Sequence, residues 1–93
     1  MMKQEISILI PVYDYICVSL VSDICQQATV TGVTYEVIVA DDGSTCQTTV
    51  KANEAINTMV HCRYICKEQN VGRSAIRNFL AREAQYQWLL FID

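Results

Sequence analysis

Ninety-three residues suffice for one small domain and not for two. With 52% apolar and 18% charged residues the chain is built to bury a core, which excludes an intrinsically disordered segment. A formal net charge of −3 lacks the basic footprint of a nucleic-acid binder. The charge is uneven: Glu5, Asp14, Asp23, Glu36, Asp41 and Asp42 face only Lys3 in residues 1–50, whereas residues 51–93 carry more bases than acids. Such a split suits a cleft that meets a phosphate from one side and a metal or base edge from the other, and suits an ordinary solvated surface equally well. No apolar run is long enough for a membrane span. Ile6–Val12 is short, holds Pro11 and follows Glu5, so it is not a signal peptide, and the sequence reads as cytosolic. Cys17, Cys25, Cys46, Cys62 and Cys66 show no metal-type pairing and read as small buried hydrophobes.

The first element, Ile6-Ser7-Ile8-Leu9-Ile10, is a β-branched run that reads as a buried strand halted by Pro11. From Ile16 to Ala28 the period changes. Cys17, Leu20, Val21, Ile24, Cys25 and Ala28 follow helical spacing, leaving Ser22, Asp23, Gln26 and Gln27 to solvent. Residues 29–34, with Gly32, read as the connection. Tyr35–Ala40 is a second strand, stopped by Asp41-Asp42-Gly43-Ser44-Thr45, where Ser44 or Thr45 would cap a second helix over Gln47–Met59. His61–Lys67 alternates, with Cys62, Tyr64 and Cys66 on one side, as a third strand does. The loop Glu68–Gly72 leads to a third helix, Arg73–Ala84. Trp88–Ile92 is a fourth, wholly apolar strand that reads as buried and central and ends at Asp93.

The β-α-β-α-β-α-β order, the short connections and the apolar strands predict an α/β fold: an open, mostly parallel β-sheet with helices on both faces. In such sheets ligands bind outside the carboxyl ends of the strands. Pro11-Val12-Tyr13-Asp14, Asp41-Asp42-Gly43-Ser44, Gln69-Asn70-Val71-Gly72-Arg73 and Asp93 all fall at such ends. In the Asp41-Asp42 turn, Gly43 permits a positive φ and two carboxylates are left at the rim, able to accept from a base N–H or from ribose hydroxyls. Read alone, either carboxylate could as well cap a turn or helix. Gly72 opens the third helix, whose exposed N–H groups favour an anion. Arg73 and Arg77 lie one turn apart and either could grip a diphosphate. The loop has neither the Walker lysine arrangement nor a G-x-G-x-x-G turn. A single carboxylate at Asp93 could help hold Mg²⁺ or Mn²⁺ but cannot make a metal site alone.

Together these pieces resemble the N-terminal half of the family 2 glycosyltransferases, which have an inverting GT-A fold. The resemblance rests on Ile8-Leu9-Ile10-Pro11-Val12-Tyr13-Asp14, on Val39-Ala40-Asp41-Asp42-Gly43-Ser44-Thr45-Cys46, on Asn70-Val71-Gly72-Arg73-Ser74-Ala75-Ile76-Arg77-Asn78, and on Leu89-Leu90-Phe91-Ile92-Asp93. It covers nearly the whole chain, in the family's order and spacing. Departures are Asp14 and Cys46, where Asn and Asp are usual at tolerant turn positions, and Gln85-Tyr86-Gln87 in place of Gly-Glu-Tyr.

The resemblance implies a nucleotide-sugar donor, most often a UDP-sugar, and a saccharide or lipid-linked hydroxyl acceptor, as in polysaccharide biosynthesis. Pro11, Val12 and Tyr13 would line the base pocket. Asp42 would bond the uracil while Asp41 supports the turn. Arg77, with Gly72 and Arg73, would lie beside base and diphosphate. Asp93 would be the first acid of an Asp-x-Asp motif and reach ribose or a Mg²⁺ or Mn²⁺ ion. Residues 1–93 would then be the nucleotide-sugar-binding N-terminal part of a truncated transferase domain, binding donor while transferring nothing. The resemblance places the catalytic base beyond residue 93, and the intact enzyme in the cytoplasm at the periphery of the inner membrane. Cutting a larger sheet after its fourth strand would leave an edge that self-associates. The rival reading is a stand-alone nucleotide-binding or receiver-like regulatory domain, but the phospho-accepting Asp and late Lys of a receiver are not in place.

Overall fold

The computed structural model describes residues 4–93. Strand β1 spans Glu5–Val12, helix α1 Val18–Thr31, β2 Thr34–Asp41, α2 Gln47–Asn53, β3 Cys62–Cys66, α3 Arg73–Glu83 and β4 Trp88–Phe91, with a 3₁₀ helix at Glu54–Thr58. All four strands run parallel in the order β3-β2-β1-β4.

Side-chain alternation along the strands divides the core between two faces. Ile8, Ile10, Val37, Val39, Cys62 and Tyr64 point to the face covered by Cys17, Val21 and Ala28, with Ile56 of the 3₁₀ helix. Leu9, Ile38 and Ala40 point to the other, where Ile76 and Leu80 of α3 close over them. The chain steps from β1 outward to β2 and β3, then returns across the sheet to place β4 on the far side of β1. The order therefore reverses between β1 and β4, and a crevice opens outside their carboxyl ends. Register sets its depth. Val12 pairs with Asp41, Asp41 with Cys66, and Leu9 with Phe91, so Asp93 comes level with Pro11.

Several boundaries differ from the sequence reading. Strand β1 runs through Pro11 to Val12 instead of stopping. The Ile92 N–H donates to the Leu9 carbonyl at 2.9 Å, so the N–H that Pro11 lacks would face β4, beyond that strand's last paired residue. Helix α1 starts two residues later than expected and continues through Thr31, where Gly32 closes it in the left-handed conformation. The second helix is not one piece: it tightens to 3₁₀ after Asn53. Asn53 is fully buried; its side chain accepts from the Cys17 N–H (2.9 Å) and donates to the Tyr15 carbonyl (2.8 Å), and these contacts outweigh local helix preference.

The largest correction concerns β4, which is an edge strand and not a buried central one. Trp88 is 71% exposed, and Leu89 and Leu90 more than a third. An apolar run reads the same whether or not its faces are covered, so sequence cannot place it within the sheet. No helix among the described residues is long and apolar enough to cross a membrane.

An open apolar edge is an association hazard. The 93-residue chain is therefore expected to give dimers or larger species in light scattering, reduced by Leu90→Lys. A monomer at high concentration would contradict this.

Candidate nucleotide-binding site

The Asp41 carboxylate is fully buried at the end of β2. It accepts the Ser44 N–H at 2.8 Å, the Ser44 hydroxyl at 2.5 Å and the Tyr64 hydroxyl at 2.6 Å. These bonds fold the turn back on its own strand and hold Asp42 and Gly43 in place. Gly43 has φ +75°, and a Cβ there would come within 2.5 Å of the Asn70 nitrogen, so both backbone conformation and space demand glycine. That close approach packs the turn against the 69–72 loop.

Asp42 joins the two loops. Its carboxylate accepts the N–H groups of Val71 (2.7 Å) and Gly72 (3.0 Å), and its carbonyl accepts from the Asn70 side-chain amide (2.9 Å). The expectation of free N–H groups ahead of α3 is thereby corrected at Val71 and Gly72: a protein carboxylate already serves as their anion. Neither Ser44 nor Thr45 is the N-cap of α2; that position is Cys46, without a side-chain cap of its own. Asp14 acts across the gap between loops, accepting the N–H groups of Thr45 (2.8 Å) and Cys46 (3.1 Å), while its own N–H donates to the Ser44 hydroxyl. The Cys46 N–H, helped by Thr45 and Ser44, holds the Asp14 carboxyl below its ordinary value. Sequence reasoning misses this role, because Asp14 reads as a tolerant turn position. Its signal is an Asx residue directly after a strand, and its φ of +49° suits that type.

A cleft of about 240 Å³ lies at the β1/β4 reversal, lined by Pro11, Val12, Tyr13, Asp42, Arg73, Ile76 and Asp93. A neighbouring hollow of about 350 Å³ shares Pro11, Val12, Tyr13 and Asp93 and adds Tyr15 and Leu20. The candidates thus sort into three groups. Pro11, Val12, Tyr13, Asp42, Arg73 and Asp93 line the cleft. Asp41 lies beneath it as a brace, and the Gly72 N–H is held by Asp42. Arg77 reaches the rim, where its guanidinium bonds Asp93 at 3.0 Å beside Arg73 at 3.1 Å, and stacks over Phe91. His61 sits at the amino end of β3, edge-on to Tyr35, away from the cleft.

The brace carries a pH dependence. Burial first, then the Asp41 carboxylate, push the Tyr64 hydroxyl well above its ordinary 10.0. Burial likewise raises Cys17 to about 11 and Cys62 to about 12, from 9.0. All three shifts favour the neutral form, so the stability they confer is complete below the ordinary values and is lost as pH rises through the folded ones. Melting temperature is expected to hold up to pH of about 9 and to fall steadily above it. Tyr64→Phe should flatten the upper part of that fall. A melting temperature unchanged up to pH of about 11 would contradict the assignment.

The geometry is thus an open cleft of about 240 Å³ bordered by Arg73, by the carboxylates of Asp42 and Asp93 and by Pro11, Val12 and Tyr13, with Arg77 at its rim through Asp93. Among curated proteins none matches the chain. The family model described as glycosyl transferase family 2 matches residues 7–93, from Ser7 in β1 to the acid at the cleft rim. With that match over nearly its whole length, the chain belongs to glycosyl transferase family 2.

Proposed function

We propose that the cleft receives the nucleoside diphosphate of a sugar donor, most simply a UDP-sugar, and that this segment supplies donor recognition for transfer with inversion onto a saccharide or lipid-linked hydroxyl. The supporting observation is the convergence of Pro11–Tyr13, Asp42, Arg73 and Asp93 on one opening at the sheet's point of reversal. Pro11, Val12 and Tyr13 form a wall for the base. The Asp42 oxygens keep lone pairs beyond those engaged by Val71 and Gly72, and one can accept an imide N–H of uracil. Arg73 and Arg77 would exchange Asp93 for the diphosphate. Exposed ion pairs contribute only about 0–1 kcal/mol each, so the exchange is inexpensive.

A divalent cation belongs to the proposal as a partner of the donor's phosphates. The described residues do not make its site: they hold no cluster of three potential ligands, and Asp93 is engaged by two cations. No step is therefore assigned to the metal. Both carboxylates that line the cleft already have partners, Asp42 in the Val71 and Gly72 N–H groups and Asp93 in Arg73 and Arg77, so in this reading neither is proposed as the base that inversion needs.

Calorimetric titration with UDP tests the reading. Binding is expected with and without Mn²⁺, weakened at least about tenfold by Asp42→Asn, which keeps an acceptor for one loop N–H but sets an amide against the imide. Equal binding of UDP by wild type and Asp42→Asn would sink the assignment of the base to this carboxylate.

A further inference from the structure

Away from the cleft, two cysteines that the donor site does not use meet inside the core. Cys25 lies on α1 in the stripe that also carries Val21 and Ala28, and Cys62 is the first residue of β3. Both join the cluster on the α1 face, Cys62 buried and Cys25 partly so. Their sulfurs are 3.3 Å apart. Cys17, by contrast, lies against the Asn53 side chain, and Cys66 against the Lys67 carbonyl.

We propose that Cys25 and Cys62 form a dithiol modification site, which a small organic disulfide such as oxidised glutathione converts to an intramolecular disulfide. Bond formation at about 2.05 Å requires the sulfurs to approach by only about 1.25 Å, within reach of side-chain rotation. Accessibility sets the order of events. Cys25 is the more exposed partner; its thiolate attacks one sulfur of the small disulfide, expels a thiolate and becomes a mixed disulfide. Cys62 then gives its proton to solvent and its sulfur attacks Cys25 Sγ, expelling the second thiolate. The protein loses two electrons and two protons, the reagent becomes two thiols, and one Sγ–Sγ bond is made. Burial holds Cys62 largely as the thiol, which makes it a poor attacker of an external disulfide. Its attack is the intramolecular one, where the 3.3 Å separation from Cys25 Sγ offsets the scarcity of its thiolate.

The bond would tie the two ends of a segment, residues 25–62, that contains β2, the Asp41-Asp42 turn and α2. It sits at the amino end of β3, opposite the nucleotide cleft, so it restrains the unfolded chain without reshaping the donor site.

The test is a thiol map of the native chain after incubation with oxidised glutathione, acid quench, alkylation and peptide mass spectrometry. A Cys25–Cys62 cross-linked peptide is expected as the main product, with the exposed Cys46 and Cys66 recovered as glutathione adducts. The melting temperature should rise by about 10 °C or more over the reduced form and return with dithiothreitol. In Cys25→Ser, Cys62 should be recovered as the free thiol; in Cys62→Ser, Cys25 should stop at the glutathione adduct. The proposal is overturned if wild-type Cys25 and Cys62 are recovered alkylated or as separate adducts while Cys46 reacts, or if Cys25 is cross-linked elsewhere. Either result is read on the wild-type chain, so a variant that fails to fold does not blunt the test.

Discussion

Replacing Asp41 by alanine is expected to lower the melting temperature by at least about 15 °C, the largest effect of any single change in the turn. The carboxylate is fully buried and is the acceptor for the Ser44 N–H, the Ser44 hydroxyl and the Tyr64 hydroxyl. Alanine leaves these donors facing a void, at a cost of about 3–5 kcal/mol. Stability for a chain of this length is roughly 5–14 kcal/mol, so the loss is a large share of the whole. Ser44→Ala and Tyr64→Phe each remove one donor and leave the carboxylate other partners, so each should be milder. Asp41→Asn should fall between, since its amide NH₂ opposes a donor. A melting temperature for Asp41→Ala within about 3 °C of wild type would show that the brace contributes little.

The second large effect is on binding. Arg73→Ala with Arg77→Ala should weaken UDP by about 10²–10⁴-fold, because each guanidinium can make charge-assisted bonds to the diphosphate worth about 1.5–3 kcal/mol. Removing both also strips Asp93 of its two partners and leaves a bare carboxylate at the rim, which repels the phosphates. Uridine, which has no phosphate, should bind both proteins within about threefold of one another. Equal losses for UDP and uridine would place the arginines in the architecture of the cleft and not in phosphate recognition.

Much of the fold is legible in the sequence for a definite reason. The strands carry β-branched runs and α1 and α3 carry helical stripes, so hydrophobic period reports the elements directly. The parallel order follows from their alternation, and parallel order brings the polar loops to one edge. The features that escape a sequence reading depend on partners distant in the chain. Asp14 holds the residues just ahead of α2 from 31 residues away, and Asp42 holds those just ahead of α3 from 29. Neither contact leaves a local pattern, because a cap is recognised in sequence only when it sits beside its own helix. Asn53 breaks the second helix through bonds to Tyr15 and Cys17, again across the fold. An open edge is expected of a sheet of four strands, but that β4 forms it, beyond β1, is hidden because an apolar strand does not record its neighbours. The cysteines read as small buried hydrophobes, which holds for Cys17 and Cys62 but not for the partly buried Cys25 or the exposed Cys46 and Cys66, and the contact of Cys25 with Cys62 is a tertiary fact.

The two aspartates of the turn also prove unlike in a way their adjacency conceals. Strand alternation sends Asp41 inward to Tyr64, while Asp42, one residue further, turns to the 71–72 loop and the cleft wall. One carries the fold of the turn, and the other is placed where a ligand can meet it.

The most direct test of the central claim is an amide-resolved NMR titration of the chain with UDP. Shift changes are expected to concentrate at residues 12–14, 42–43, 71–73 and 76–77 and at Asp93, with the amino ends of the strands and His61 unmoved. UDP-dependent shifts centred elsewhere, or none at saturating UDP, would contradict the assignment of a nucleotide to this cleft.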